Sequence, residues 1–156
     1  MGQLNSSEIE NLLEKALIGR IGCSDGQFTY VVPISYAYDG KYIYCHTCEG
    51  MKIDILRKNP MACFEVEHLP DLANWQTVVA HGVFEELIDP QLRLEGLQKL
   101  HDRKLPVITS QTTMLSEEWP FASETLDRIK GITFRILLTD KSGRFEKAHQ
   151  EAKVFY

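Results

Sequence analysis

The sequence predicts a mainly β protein, a six-stranded antiparallel barrel with a few peripheral helices. Strand-like segments predominate, turns containing glycine join several of them directly, and helical periodicity is confined to short insertions. The strands do not alternate with crossover helices, which argues against a doubly wound α/β fold. A chain of 156 residues is long enough for one core, and no linker or repeat divides it. We therefore expect a single domain over residues 1–156.

The first half of the chain contains one helix followed by three predicted strands. Ser6 or Ser7 is placed to cap the helix, whose apolar residues recur at helical spacing. Turns at Asp25-Gly26 and Asp39-Gly40 separate the strands, as is typical of hairpins. Pro33 interrupts the middle strand, and because proline cannot donate to a ladder, that strand is predicted to be bulged or at an edge there.

The second half continues with strands and a few helices. Asn59-Pro60 ends a short helix that begins at Gly50, and Gly82 marks a predicted bulge in the long strand over 75–87. The remaining elements are strands over 61–68 and 75–87, a helix over 90–103, an irregular stretch over 105–121, a helical turn over 125–130 and a final strand or strand pair over 131–146.

Composition excludes some functional classes. The formal net charge of −5 argues against a nucleic-acid partner, because phosphate backbones require a basic face. No apolar run approaches the roughly 20 residues of a membrane helix, and the N-terminal residues do not resemble a signal peptide. We therefore expect a cytoplasmic protein without a membrane partner, whose four cysteines remain thiols.

Two neighbouring segments carry the most informative chemistry. An interrupted strand exposes backbone donors and acceptors that a flat heteroaromatic ring could use, and this strand contains Val32, Pro33, Ile34, Ser35 and Tyr36. Further on, Thr47 and Lys52 flank the point where a strand gives way to a helix, and a hydroxyl, an ammonium and helix amides suit an anion. Together they suggest a phosphorylated aromatic cofactor. The alternative is a hairpin with an ordinary strand-to-helix turn.

Other candidates are weaker. Arg20 could bind a phosphate bidentately, although such an arginine more often pairs with a local carboxylate. Cys45 and Cys48 match C-x-x-C but lack a thioredoxin-like context, and further zinc ligands could be recruited only by guesswork. We therefore predict no metal site.

In their order and spacing, a series of short blocks resembles the FMN-binding split barrels related to pyridoxamine 5′-phosphate oxidase, most closely their nitroimidazole-resistance branch. The blocks are Gly19-Arg20-Ile21-Gly22, Asp25-Gly26-Gln27, Tyr30-Val31-Val32-Pro33-Ile34-Ser35-Tyr36, Asp39-Gly40, Ile43-Tyr44-Cys45-His46, Gly50-Met51-Lys52, Asn59-Pro60, Cys63-Phe64-Glu65-Val66 and Trp75-Gln76-Thr77-Val78-Val79-Ala80-His81-Gly82.

The resemblance implies a Greek-key split barrel and an obligate homodimer with FMN at its interface. It places residues 32–36 along the isoalloxazine ring, His46 and Thr47 beside the ribityl phosphate, and Lys52 on the phosphate at the Gly50-Met51 helix start. Trp75 to Val78 would approach the partner's cofactor from the long strand.

By the same resemblance, the expected function is that of an FMN-dependent oxidoreductase of small molecules or electron acceptors. His46 is the best candidate for a catalytic residue, because it could contact a ligand stacked on the flavin. The alternatives are a non-enzymatic flavin binder or redox sensor, and a relative that binds haem or deazaflavin. Residues 148–156 do not match the arginine-containing tail of true pyridoxamine 5′-phosphate oxidases, so activity on that substrate is not expected.

Overall fold

The structure, a computed structural model, describes residues 1–103 and 123–148. One antiparallel sheet, three α-helices and a 3-10 helix make up this part of the chain. The strands are β1 (Gly2–Gln3), β2 (Ile18–Ser24), β3 (Thr29–Ser35), β4 (Ala37–Tyr38), β5 (Tyr42–Thr47), β6 (Met61–Asp71), β7 (Asn74–Glu86) and β8 (Ile132–Glu146). The helices are α1 (Ser6–Lys15), α2 (Met51–Lys58), α3 (Pro90–Asp102) and the 3-10 helix Ser123–Arg128.

The strand order shows that the sheet is rolled into a barrel that stays open along one line. The strands follow the order β3-β2-β6-β7-β8-β5-β4, and β1 pairs with β8. β3 and β4 therefore lie at opposite ends of the sheet, yet only Tyr36 separates them in the chain. Because consecutive Cα atoms are about 3.8 Å apart, the two edges must meet at Tyr36. We call this line the seam. The predicted split barrel is confirmed.

Apolar residues on the inner face of the sheet form the main core. Phe64, Phe134, Ile21 and Ile43 are fully buried there, and α1 adds Leu13. Tyr36 packs edge-on against Phe64 with ring centroids 4.9 Å apart, so the seam is anchored in this core. A second cluster forms on the outer face, where α3 covers Tyr44 of β5; its other members are Ala37, Leu87, Leu97, Leu100, Leu126 and Ile129.

Several predicted details need correction. The sheet has eight strands rather than six, because the two-residue strands β1 and β4 carry no sequence signal of their own. The cap of α1 is Asn5, whose side chain accepts from the Glu8 amide while the Glu8 carboxylate accepts from the Asn5 amide, so neither Ser6 nor Ser7 is the cap. For Pro33 the edge alternative is confirmed: it lies on the edge strand β3, whose pairing with β2 continues past it without a bulge.

The predicted irregularity at Gly82 is confirmed. The register between β7 and β8 shifts between His81 and Gly82, so that Thr139 of β8 is skipped in the residue-by-residue pairing of the two strands. A Cβ at Gly82 would lie 2.4 Å from the Leu137 carbonyl oxygen, so only glycine allows this close approach. The stretch predicted to be irregular over 105–121 lies outside the described residues. No helix in residues 1–103 and 123–148 is both long and apolar enough to cross a membrane.

Candidate functional site

The structure brings Thr47 and Lys52 together as the sequence predicts. Thr47 ends β5, Lys52 lies in the first turn of α2, and the Lys52 Nζ donates to Thr47 Oγ1 at 2.6 Å. Both side chains are half-buried. We call the group formed by Thr47, Gly50, Met51 and Lys52 the Lys52 corner.

The charge of Lys52 is not balanced by a carboxylate in the described part of the chain. Burial lowers the pKa of Lys52, while Cys45, Cys48 and Cys23 partly offset that effect. Burial in turn raises the pKa of the Cys45 and Cys23 thiols, which therefore remain neutral at physiological pH. A half-buried ammonium whose neighbours are thiols and a hydroxyl is suited to an anionic ligand.

The start of α2 adds backbone donors to this corner. The Gly50 carbonyl accepts from the amides of Ile53 and Asp54, which begins the helix. Gly50 has no side chain with which to cap the first amides, and no side-chain cap is present. The amides of Met51 and Lys52 precede the helical ladder, and the helix dipole favours negative charge beside them. The corner thus combines an ammonium, a hydroxyl and a helix N-terminus.

The other predicted part of the site, the ring-binding segment over residues 32–36, ends at the seam. Ser35 and Tyr36 are held by Arg103, whose guanidinium donates to the Tyr36 carbonyl at 2.9 Å and to Ser35 Oγ at 3.4 Å. The Tyr36 hydroxyl donates to the Leu13 carbonyl at 2.6 Å, so that side chain is engaged inside the barrel. Burial lowers the pKa of Arg103. Sequence reasoning missed Arg103, because a basic residue after the last turn of a helix is an ordinary C-terminal feature.

The rest of the predicted ring-binding strand forms the edge of the sheet. Val32 and Ile34 are half-buried, whereas Pro33 is exposed. Because β3 pairs only with β2 in the described structure, every second backbone group of β3 faces away from the sheet. The exposed backbone donors and acceptors that a flat ring could use are therefore provided by the free edge of β3 rather than by a bulge.

His46 does not lie on the same face of the sheet as Thr47. Adjacent strand residues point to opposite faces, and Cys45 and Ile43 are in the inner core, so His46 lies on the outer face with Tyr44. Its Nδ1 lies 3.2 Å from Thr133 Oγ1, across the β5–β8 pair. Gly131 packs so closely against the imidazole that an added Cβ would come within 3.1 Å of it. The structure thus brings Thr47 to Lys52 and places His46 on the other face of β5.

The other predicted residues lie elsewhere. Arg20 is on the outer face of β2, where it pairs with Glu65 at 3.0 Å and Glu67 at 2.8 Å. Val78 is fully buried in the core, so only its backbone could meet a ligand. Trp75 is half-buried at the start of β7, opposite Glu146 of β8.

The C-x-x-C pair forms no disulfide. Cys45 is fully buried in β5, Cys48 is exposed beyond its end, and both are free thiols. Within residues 1–103 and 123–148, no group of three or more histidine, cysteine, aspartate or glutamate side chains is arranged to hold a metal ion.

Comparison with known proteins identifies relatives over most of the chain. The profile of the pyridoxamine 5′-phosphate oxidase family matches residues 5–130. An uncharacterised Rhizobium meliloti protein, RA0666, is 30% identical over 84 residues, which cover 54% of this chain and 56% of that protein. The match therefore spans little more than half the length of this relative.

Solved structures are similar over nearly the whole chain. An FAD-binding protein of Mesorhizobium loti is 29% identical with a TM-score of 0.67, covering 94% of this chain and 98% of that one. A candidate 5-nitroimidazole antibiotic resistance protein of Bacteroides thetaiotaomicron has a TM-score of 0.66 at 16% identity, covering 92% and 88% of the two chains. The latter similarity concerns the fold alone.

Proposed function

The chain belongs to the pyridoxamine 5′-phosphate oxidase family, and from this premise we propose that it is an FMN-binding oxidoreductase. In this proposal the Lys52 corner binds the phosphate and the β3 edge near the seam binds the isoalloxazine ring. The flavin supplies hydride and electron transfer when bound, and the protein supplies binding and orientation. The similarity to an FAD-binding protein supports a flavin in this barrel.

The proposal depends on one observation: in residues 1–103 and 123–148, no carboxylate balances the charge of Lys52. Leaving a half-buried ammonium without a counter-charge costs stability, and a phosphate would remove that cost. Thr47 fixes the direction of the ammonium through their 2.6 Å hydrogen bond. The first amides of α2 are placed to receive further phosphate oxygens.

The proposal names FMN rather than FAD because the sequence resembles the FMN-binding split barrels. One ammonium beside one helix N-terminus is compatible with the terminal phosphate of FMN. An FAD diphosphate would require space for the adenosine beyond this corner. Mass spectrometry of the released cofactor distinguishes the two.

His46 is proposed to act on a small-molecule substrate or electron acceptor rather than on the phosphate. It lies on the outer face of β5 next to Thr133, so it is oriented away from the Lys52 corner. A ligand stacked on the flavin would have to reach that face to contact the imidazole. Nitro compounds are the first substrates to test, given the fold shared with the Bacteroides protein.

A homodimer completes the proposal. The outer face of β2, β3 and β6 exposes Ile18, Val31 and Met61 by 61%, 58% and 55%. Val31 and Met61 line an open cavity of about 530 Å³, which Arg20 also lines. An exposed apolar face on an otherwise ordinary soluble composition suits a second copy of the chain. If the cofactor bridges the two copies, dilution to monomer releases it.

The decisive experiment is the visible spectrum of the freshly purified protein, followed by mass spectrometry of what heating releases. We expect flavin bands and the mass of FMN, with bleaching by NAD(P)H and reoxidation by an acceptor. A flavin that only dithionite reduces would overturn the oxidoreductase part and leave a flavin binder. A Soret band, a deazaflavin band or a protein that takes up no flavin would overturn the proposal.

A further inference from the structure

We propose that Arg57 is a positioning residue for the Lys52 corner, which it serves by neutralising Glu49 and holding its carboxylate away from the bound anion. Glu49 directly precedes Gly50, the N-cap of α2. This inference rests on the proposed binding of a phosphate at the corner.

Arg57 makes fork-like contacts with two carboxylates. Its Nη1 and Nη2 donate to the two Glu49 oxygens at 2.9 and 3.0 Å. Its Nε and Nη2 donate to the two Glu86 oxygens at 2.7 and 2.8 Å. Arg57 lies in the last turn of α2 and Glu86 ends β7. One guanidinium thus ties the segment before α2 to the far end of the same helix and to the sheet.

The charges make this arrangement relevant to an anion. A carboxylate near a helix N-terminus is attracted by the same amides and dipole that would bind a phosphate. Glu49 is therefore a potential competitor for the Lys52 corner, and its side chain is 61% exposed and able to move. Hydrogen bonds to Glu86 and Glu49 raise the pKa of Arg57 above its usual range, so the guanidinium stays charged at any ordinary pH.

A purely structural ion pair predicts a different result. If Arg57 only stabilises α2, its loss weakens FMN and riboflavin alike and removing Glu49 as well brings no recovery. If Arg57 restrains a competing carboxylate, its loss weakens FMN selectively, because riboflavin has no phosphate. Removing Glu49 in addition then restores FMN binding.

The experiment measures the dissociation constants of FMN and riboflavin for Arg57→Gln, Glu49→Gln and the double variant of the full chain, by quenching of flavin fluorescence. We expect Arg57→Gln to weaken FMN relative to riboflavin by about three- to fivefold, the size of a charge at a helix end. The double variant should return to within about twofold of the wild type. The loss of FMN affinity in Arg57→Gln should be smaller at high salt, because the side chains of Arg57 and Glu49 are exposed.

Arg135→Gln is the matched control, because Arg135 pairs with Glu85, the neighbour of Glu86 on β7. It should leave the ratio of FMN to riboflavin affinity unchanged. Equal losses of both ligands in Arg57→Gln, or no recovery in the double variant, would overturn the inference. If Arg57→Gln does not fold, Glu49→Gln still decides: FMN affinity should hold or rise, and a selective fall would contradict the inference.

Lys52→Ala in the same assay separates this inference from the proposed function. If Lys52→Ala weakens both flavins equally, the phosphate site itself is wrong. If Lys52→Ala is selective for FMN and Arg57→Gln is not, only the role of Arg57 is wrong.

Discussion

Lys52 and Arg20 are both predicted from the sequence as phosphate-binding cations, but the fold places them in opposite circumstances. The Arg20 side chain is 48% exposed on the outer face of β2 and contacts two carboxylates at 3.0 and 2.8 Å. Lys52 is half-buried at the start of α2, and its hydrogen-bond partner is the Thr47 hydroxyl at 2.6 Å. The charge of Arg20 is already balanced, whereas that of Lys52 meets no carboxylate in the described structure. What makes a cation available to a ligand is therefore its neighbourhood rather than its residue type.

The two cations also differ in what their surroundings cost the folded protein. An exposed arginine between two glutamates loses little when solvent replaces a partner, because water and salt screen the pair. A half-buried ammonium without a counter-charge is a cost that the folded protein bears throughout. A cost retained in this way is typical of a functional site.

Of the substitutions that test this comparison, Lys52→Ala should have the largest effect on FMN affinity. It removes a charge-assisted contact worth about 1.5–3 kcal/mol, so FMN affinity should fall roughly ten- to hundredfold. Riboflavin affinity should change little. Isothermal titration of both ligands with the apoprotein measures the difference.

The control for Lys52→Ala is Lys58→Ala, the same substitution in the last turn of the same helix. It should leave both affinities unchanged, since Lys58 is exposed at the opposite end of α2. Equal losses of FMN and riboflavin in Lys52→Ala would show that Lys52 does not contact the phosphate.

The pH dependence of FMN binding should follow the lowered pKa of Lys52. Burial favours the neutral amine in the free protein, and a bound phosphate favours the ammonium, so the pKa of Lys52 rises on binding. Binding therefore takes up a proton, and FMN affinity should fall as pH rises through the pKa of the free protein, below 10.5. The slope cannot exceed about tenfold per pH unit for one proton.

This measurement is made above about pH 7.5, where the second ionisation of the phosphate, near pH 6, is complete. Ionisation of the flavin ring is common to FMN and riboflavin and cancels in the ratio of their affinities. In Lys52→Ala the ratio should become independent of pH. A ratio that is flat in the wild type would remove Lys52 from the phosphate site.

The sequence predicts most of the barrel because its signals are local. Turns at Asp25-Gly26 and Asp39-Gly40, and the Asn59-Pro60 helix stop, depend on the conformations of single residues. The seam at Tyr36 could not be predicted in this way. It follows from the order of the strands in space, which depends on pairing across the whole chain, such as β2 with β6.

The candidate site is predictable only in part for the same reason. Thr47 and Lys52 are five residues apart, and a strand end followed by a helix start is enough to bring them together. The contact of Arg103 with Ser35 and Tyr36 joins residues 67 and 68 positions apart. No local pattern marks such a contact. The pairing of Arg20 with Glu65 likewise depends on register between β2 and β6.

Arg20→Gln should have the smallest effect on FMN affinity. It tests whether a cation that is already paired with carboxylates is unavailable to a phosphate. The guanidinium already has two carboxylate partners, so an incoming phosphate would have to displace them and overcome their negative charge. We therefore expect the ratio of FMN to riboflavin affinity to stay within about twofold of the wild type. Glu65 also accepts from the Thr77 hydroxyl at 2.9 Å, so it retains a partner when Arg20 is lost. A selective loss of FMN affinity in Arg20→Gln, as large as that in Lys52→Ala, would mean that the phosphate displaces the glutamates from Arg20. Neighbouring carboxylates would then not predict which cation binds a phosphate.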